Sequence, residues 1–555
     1  MTKEALALRA QPKRRRRPLQ SIAALCSCSL SDFHPKLCAM TWQPEIEEIA
    51  KRRQRALQMG GEEKIAKQHA QGKLTARERI NRLLDPDSFT ELGMLATHQS
   101  QRPEMQGLYT AADGVIMGYG RIDGREVLVG TEDFTVMGGS VGQTGIIKRE
   151  RVLELAHQTK VPVIWLLDGS GARANEWVRG GWVGGRHFVL MSHLSGIVPQ
   201  VVAAMGPCAG DPALMAPLAD FVVMVKGTSM LAAGGPPVVE AAIGEKVSKE
   251  ELGGSFVHCH LSGVGDNEAE NDEECLQIIR RYLGYFPTNV YQLPPRVESQ
   301  DDPERRDDAL LSIVPRNRKR PYDMLKVIRH IVDLDSVFEI KPHYGPSVVT
   351  CLARMDGEVV GLIGNQPLRL AGIIDGAAAD KMTHFIQLCD AFHIPLIFLS
   401  DVPGFMTGSV SEREATLRRG LRIAYAMSFV TVPKVSVVLR KAYGMGAVAM
   451  CGHQMGQILT LVWPSGEFGA LPVEGGVSAG HKSALETAGN QDATRRALED
   501  YYNQFGSPFS TAETFNFDDL IDPRDTRPLI IRALRAARAG NTAPLGPKTR
   551  HGIMP

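Results

Sequence analysis

The sequence predicts an α/β protein in which one domain is built twice. Three observations carry that expectation. Several motifs recur in the same order in both halves, the spacing between copies stays nearly constant, and short apolar runs alternate with helical patterns. At 555 residues the chain also exceeds what one hydrophobic core ordinarily supports, so two domains are the natural division.

The recurrence is ordered. Ile80 to Glu91, containing Leu84-Asp85-Pro86-Asp87-Ser88-Phe89, echoes Ile328 to Glu339, containing Val332-Asp333-Leu334-Asp335-Ser336. Arg121-Ile122-Asp123-Gly124 is matched by Arg354-Met355-Asp356-Gly357, each an Asp-Gly pair between β-prone runs and so a tight-hairpin signal. Val161–Asp168 is matched by Ile394–Asp401, and Val198-Pro199-Gln200-Val201 by Val432-Pro433-Lys434-Val435. The shift is 233 residues for Asp123/Asp356 and Asp168/Asp401, 234 for Pro199/Pro433, and 248 for Asp87/Asp335. The first copy therefore carries an insertion between Glu91 and Arg121.

Within each copy, Val163–Leu167 and Leu396–Leu399 read as buried strands. Met382, Phe385, Ile386 and Cys389 fall at helical spacing between them. Pro44 to Leu84 reads as helical, with the charge-dense Lys73 to Arg82 on a solvated face. The Pro-containing, charged Arg296 to Asp308 reads as a connection between copies. These readings give a first domain over residues 40–297, a linker over 298–311 and a second domain over 312–555. Residues 1–39, with Arg14 to Arg17 and only Glu4 and Asp32 as acids, stand apart as a basic leader. They superficially resemble a transit peptide, but the expectation is a start at Met40.

Composition excludes some function classes. Lys plus Arg (63) nearly cancels Asp plus Glu (62), so no global field recruits nucleic acid or a membrane surface. Nine scattered cysteines without a CxxC pair fit reduced thiols in the cytoplasm, not a disulfide framework or zinc ribbon. No apolar run spans a bilayer.

Each copy has two glycine-containing junctions: Asp168-Gly169-Ser170-Gly171-Ala172-Arg173 with Gly206-Pro207-Cys208-Ala209-Gly210, and Asp401-Val402-Pro403-Gly404-Phe405 with Lys441-Ala442-Tyr443-Gly444-Met445-Gly446-Ala447. Such strand-to-helix turns leave backbone N–H groups open and suit a developing oxyanion, although each alone reads more readily as a plain turn. Other chemistries fit less well. Ser170 lacks the flanking glycines of a nucleophile elbow, since Asp168 and Ala172 occupy those positions. Gly138-Gly139-Ser140-Val141-Gly142 is neither a P-loop nor a dinucleotide fingerprint. His258 and His260 are spaced as strand neighbours, with no third metal ligand at a known spacing. The acids Glu268–Glu274 read as a solvated face or helix start.

The stretch Gly72-Lys73-Leu74-Thr75-Ala76-Arg77-Glu78-Arg79-Ile80 resembles the carboxyltransferase (β) subunits of biotin-dependent acyl-CoA carboxylases, of the propionyl-CoA and methylcrotonoyl-CoA carboxylase type. So do Asp133–Ser140, Gly206–Gly210, Glu251-Leu252-Gly253-Gly254, Gly364-Asn365-Gln366-Pro367, Asp401–Phe405 and Arg440–Gly444, and the likeness runs from about Pro44 to near Arg527. The resemblance implies two tandem crotonase-like (ClpP/crotonase) domains, each a spiral of ββα units. It also implies acyl-CoA on the first domain, the biotin ring over the second, and an active site between subunits of a homo-oligomer, often a hexamer. The carboxyl group of carboxybiotin would pass to an acyl-CoA enolate, with two oxyanion sites and no metal. By resemblance, the N–H groups of Ser170 and Gly171 hold the thioester enolate and those of Met445 and Gly446 the biotin oxygen. Gly138, Gly139, Ala209, Gly210, Tyr443, Gly444 and Val448 line the substrate sites.

Two departures bear on this. The family commonly reads Asp-Ser-Gly-Gly-Ala-Arg where this chain has Ser170 as the first donor, and Gly444-Met445-Gly446-Ala447-Val448 is nearer the methylcrotonoyl type. No Ala-Met-Lys-Met biotin-attachment motif is present, so biotin carboxylase and carrier are expected as separate partners. The competing readings are a biotin-dependent acyl-CoA decarboxylase subunit, a crotonase-like hydratase or isomerase, and a non-catalytic assembly subunit.

Overall fold

The computed structural model describes residues 41–178, 184–452, 454–540, 544–548 and 552–555; the basic leader lies outside them. They fall into two compact units, one ending at Arg55 and one running from Ala56. The first holds most of the helix Gln43–Leu57, whose surface carries the i,i+4 pair Glu48–Arg52.

The second unit contains both copies of the repeat. The first copy contributes β1 (Thr90–Leu92), β2 (Val115–Ile122), β3 (Arg125–Glu132), β4 (Val163–Leu167), β5 (Gln200–Ala204), β6 (Pro207–Ala209), β7 (Phe221–Val225), β8 (Met230–Ala232) and β9 (Asn267–Ala269). The second contributes β10 (Phe338–Ile340), β11 (Val348–Met355), β12 (Glu358–Asn365), β13 (Leu396–Val402), β14 (Lys434–Tyr443), β15 (Leu459–Val462), β16 (Glu467–Gly469) and β17 (Asp519–Leu520). The main sheets have matching orders, β1-β2-β3-β4-β5-β7-β9 and β10-β11-β12-β13-β14-β15-β17. In each, a β-hairpin feeds a long helix, Gln143–Thr159 or Gly376–Ala391, that returns the chain to a parallel strand.

Registers repeat at the shift read from the sequence. Leu128 pairs with Val163, and Gly361 with Leu396. The two-residue turns Asp123-Gly124 and Asp356-Gly357 have positive φ at all four residues, as hairpin turns of the I′ kind require. Asp85 accepts hydrogen bonds from the N–H groups of Asp123 (3.1 Å) and Gly124 (2.8 Å), while Asp333 does the same for Asp356 (3.0 Å) and Gly357 (2.8 Å). The insertion lies between β1 and β2, where residues 93–114 answer to 341–347 of the second copy.

The copies share one core. Phe221 stacks on Tyr282 (4.2 Å between centroids), and Phe286 meets Phe392 of the second copy edge-on at 5.4 Å. Residues 298–311 lie outside both main sheets. Pro44–Leu84 is helical at Gln43–Leu57, Glu62–Ala70 and Ala76–Leu83, but the charge-dense stretch is not wholly solvated: Lys73 and Arg79 are buried. His258 and His260 sit on a π-helical turn, Val257–Ser262, not on a strand. Of the acids Glu268–Glu274, Asp272, Glu273 and Glu274 begin the helix Asp272–Leu283, capped by Asn271, whereas Glu268 lies on β9 with its side chain 8% exposed. No described helix is long and apolar enough to cross a membrane.

Candidate active site

Parallel strands deliver their following loops to one sheet edge, and three such loops meet in the first copy. The Ser170 N–H donates to the Gly138 carbonyl (3.1 Å), the Ala209 N–H to Gly169 (3.3 Å), and the Val141 N–H to Gly171 (2.8 Å). Gly138, Gly139, Ser170, Gly171, Ala209 and Gly210 are thus brought together. The approach is too close for side chains at two of these glycines. A Cβ on Gly139 would overlap the Asp168 carbonyl oxygen, and one on Gly171 the Ala209 carbonyl oxygen. Both have positive φ (66° and 90°), which adds a second reason for glycine.

Ser170 departs from the expectation of two open donors. It tolerates a side chain because its φ is not positive, but its N–H is engaged by Gly138. The turn at Gly138-Gly139 presses against this loop and brings the Gly138 carbonyl onto it. The Gly171 N–H has no acceptor among the described residues.

Buried charge fixes the loop. Asp168, 0% exposed, pairs with Lys73 (2.6 Å) and accepts from Arg79 (2.8 Å) and Gln68 (2.9 Å). Burial holds the Lys73 ammonium below its usual range, against the pull of Asp168. Arg79 also pairs with Asp272 (2.8 Å). Farther along, Arg173 is buried between Asp113 (2.6 Å) and Glu176 (2.7 Å) and donates to the Ser140 carbonyl (2.9 Å). Glu132 accepts the Asp168 N–H (3.0 Å), and Arg149 joins Glu132 to Asp211 behind the loops. His187 Nε2 lies 2.8 Å from Asp211. Burial raises the Glu132 carboxyl above its ordinary range despite Arg149. Glu132, Arg149 and Asp211 carry no local sequence signal of a site, because each acts on a partner distant in the chain.

The second copy repeats the plan with other residues. The Asp401 N–H donates to the Asn365 side chain (3.1 Å), as Asp168 does to Glu132. The Asp401 carboxylate accepts from Arg440 (2.9 Å) and from the Lys441 N–H (3.2 Å). β14 then runs through Tyr443 into the short helix Gly444–Ala449, so Gly444, Met445 and Gly446 form its first turn. N–H groups there lack intrahelical acceptors. Met445 is 46% exposed, whereas Gly446 is buried, and a Cβ on it would lie 2.9 Å from the Gly404 Cα. Val448 is half-buried on the same helix. The Tyr443 hydroxyl donates to Glu467 (2.9 Å), and its pKa is raised by burial and by that carboxylate. A cavity of about 430 Å³ borders Tyr443, lined also by Arg318, Phe468, Leu471 and Tyr502.

These loops contain no activated nucleophile. Cys208 is fully buried, with its thiol pKa pushed up chiefly by desolvation. Both His258 nitrogens are engaged, with the Leu231 carbonyl (2.7 Å) and the Ser262 hydroxyl (2.8 Å). What each copy offers chemically is main-chain N–H groups on a rigid, charge-anchored loop.

Known proteins share this architecture. The carboxyl transferase domain family matches residues 67–553. The methylmalonyl-CoA decarboxylase subunit alpha of Veillonella parvula is 39% identical, over 93% of this chain and 99% of that one. The propionyl-CoA carboxylase carboxyltransferase subunit of Haloferax mediterranei is also 39% identical, over 93% of this chain and 100% of its own. A crystal structure of the transcarboxylase 12S hexamer with methylmalonyl-coenzyme A bound superposes with a TM-score of 0.85, at 38% identity over 93% of this chain and 98% of that one. The fold is that of two crotonase-like α/β domains in tandem. The chain belongs to the carboxyl transferase domain family.

Proposed function

We propose that this chain is the carboxyltransferase subunit of a biotin-dependent acyl-CoA carboxylase, moving a carboxyl group from carboxybiotin on a partner carrier to the carbon acid of an acyl-CoA. The observation that carries the reading is the duplicated cradle. Each copy sets an aspartate locked by cations at the end of a buried strand; N–H groups suited to an oxyanion follow that strand at Gly171 in the first copy, and follow the neighbouring strand β14 at Met445 and Gly446 in the second. Carboxyl transfer to a thioester enolate develops negative charge at two oxygens, so two fixed donor sets match the need without reorganisation.

We assign the thioester oxygen to the first copy, with the Gly171 N–H as the open donor. The Ser170 N–H joins it by releasing or sharing the Gly138 carbonyl. Gly138, Gly139, Ala209 and Gly210 form the floor against which acyl-CoA lies. In the second copy, the Met445 and Gly446 N–H groups are assigned to the biotin ureido oxygen, beside Tyr443 and Gly444. This assignment fits the crowded, side-chain-free surface at Gly444 and Gly446. Bound biotin supplies the carboxyl group and a nitrogen that accepts the acyl α-proton; the chain's own residues orient both reactants and hold the charge. Val448 borders the acyl end, and its apolar side chain favours a short apolar acyl group of the propionyl or methylcrotonoyl kind.

Biotin carboxylase and the biotin carrier are separate partners in this reading, the assembly is a homo-hexamer with cradles facing across subunits, and the compartment is the cytoplasm. Support for assembly comes from the related transcarboxylase 12S, which forms a hexamer. The test is co-expression with biotinylated partner subunits, followed by bicarbonate fixation over a panel of acyl-CoAs and light scattering for mass. Fixation on at least one short acyl-CoA is expected; none with any competent partner refutes the proposal. A second reading is favoured by the 39% identity to a methylmalonyl-CoA decarboxylase subunit. In that case the complex decarboxylates methylmalonyl-CoA without ATP and fails to fix bicarbonate.

A further inference from the structure

We propose that His260, Glu268 and His343 form a divalent-cation site of the zinc class that clamps the two copies of the fold together. His260 comes from the π-helical turn and Glu268 from β9, both in the first copy, while His343 comes from the loop after β10 in the second. One ligand atom from each lies within 4.8 Å of the other two. His260 Nε2 is 3.1 Å from Glu268 Oε2, and His343 Nε2 is 4.0 Å from the same oxygen. The two imidazoles stack face to face, 4.2 Å between centroids and 3° from parallel, each with Nε2 within 4.0 Å of one carboxylate oxygen; placing both in-plane lone pairs on one ion requires His343 to rotate out of the stack. In the sequence His260 stands beside His258, whose nitrogens are both engaged elsewhere; folding instead brings His260 together with Glu268 and, from 83 residues beyond, His343.

The donor set selects the cation. Two imidazole nitrogens and one carboxylate oxygen suit zinc or a neighbouring first-row ion, not magnesium or calcium. Bond lengths of about 2.0–2.2 Å to such an ion put ligand atoms roughly 3.3 Å apart. His260 and Glu268 already meet that spacing, and His343, 47% exposed on a loop, can close the rest by side-chain rotation. The open side toward His343 leaves room for water ligands.

Outer contacts hold both walls. Ser255 donates to Glu268, whose side chain is 8% exposed. On the opposite wall, Lys341 Nζ donates to the Gly263 carbonyl (2.5 Å) and pairs with Asp266 (3.0 Å). Asn267 Nδ2 donates to the Glu339 carbonyl (2.9 Å), tying β9 to β10. Supports of this kind keep ligands oriented. A competing cation is present, since Lys226 Nζ lies 3.8 Å from Glu268. It pairs more closely with Glu270 (2.5 Å) and is exposed enough to withdraw.

The test uses the full chain, stripped with a chelator and then titrated with Zn²⁺ by calorimetry and with Co²⁺ by visible absorption. Wild type is expected to take up one equivalent at micromolar affinity, to melt at a higher temperature with Zn²⁺ present, and to show Co²⁺ ligand-field bands. His343→Ala and Glu268→Gln should each weaken binding by at least about tenfold and lose the thermal shift. Control His193→Ala, at an exposed histidine elsewhere, should leave both unchanged. Absence of saturable binding below millimolar Zn²⁺ overturns the site. So does equal binding by wild type and His343→Ala, or loss of binding in His193→Ala.

Discussion

Alanine at Gly171 keeps the N–H that the mechanism needs and changes only the backbone's freedom. Its φ of 90° is a conformation that a residue with a Cβ adopts at a cost of about 1–2 kcal/mol. The new methyl would also sit roughly 1 Å inside ordinary contact with the Ala209 carbonyl oxygen. That oxygen belongs to main chain in the adjoining loop, so relief requires the Asp168–Arg173 loop to move. Displacement of about 1 Å at a positioned donor costs on the order of 10²-fold in rate. Gly171→Ala should therefore lower kcat/KM for acyl-CoA carboxylation in the reconstituted complex by about 10²-fold. Its stability loss should exceed the strain alone, because the overlap with main chain adds to it. Gly124→Ala is the matched control, with φ of 77° but nothing within 4 Å of the added methyl. It should show the smaller destabilisation of the strain alone in urea, with turnover unchanged. If Gly171→Ala stays within about threefold of wild type, or if Gly124→Ala loses as much activity, the assignment of the Gly171 loop fails.

Gly446→Pro removes an N–H from the helix turn after β14 and should cut carboxyl transfer by about 10²-fold while acyl-CoA binding, measured by calorimetry, persists; undiminished transfer removes Gly446 from the mechanism. Asp168→Asn leaves Lys73 and Arg79 buried without their shared carboxylate and should cost about 3–5 kcal/mol in denaturant unfolding; a loss below about 1 kcal/mol refutes the anchoring role. Asp220 predicts a pH dependence. Burial pushes its folded pKa up to about 8, while the unfolded carboxyl titrates near 4. Between those values the folded state holds the extra proton, so this group's contribution to stability falls as pH rises from about 4 to about 8, by up to about 1.4 kcal/mol per pH unit. Asp220→Asn should thus gain more stability relative to wild type at pH 8 than at pH 5; equal effects at both pH values contradict it.

The duplication was legible because a constant offset survives divergence of individual residues. Asp123/Asp356 and Asp168/Asp401 fix the register that β3–β4 and β12–β13 then show. Glycine-rich junctions were legible as strand ends, since small residues after apolar runs have few other uses. Hydrogen-bond bookkeeping was not. Nothing local to Ser170 says that its N–H meets Gly138, a contact between loops 32 residues apart. Lys73 and Arg79 misled for the same reason: a charge-dense helix reads as solvated until its partners Asp168 and Asp272 are brought beneath it. Asn365 standing where Glu132 stands in the first copy was invisible too, because the shared role is to receive one main-chain N–H and not to share chemistry.

The two locked aspartates differ in where their counter-ions originate. Asp401 draws on Arg440 and Lys441, carried by a neighbouring strand of its own copy. Asp168 draws on Arg79, from the helix Ala76–Leu83 whose counterpart Met324–Ile331 opens the second copy, and on Lys73 just before that helix. One copy thus neutralises its loop from the strand beside it, the other from the helical segment at its start. A first copy trimmed to begin at β1 would lose both cations of that loop, whereas a second copy trimmed to begin at β10 would keep its own.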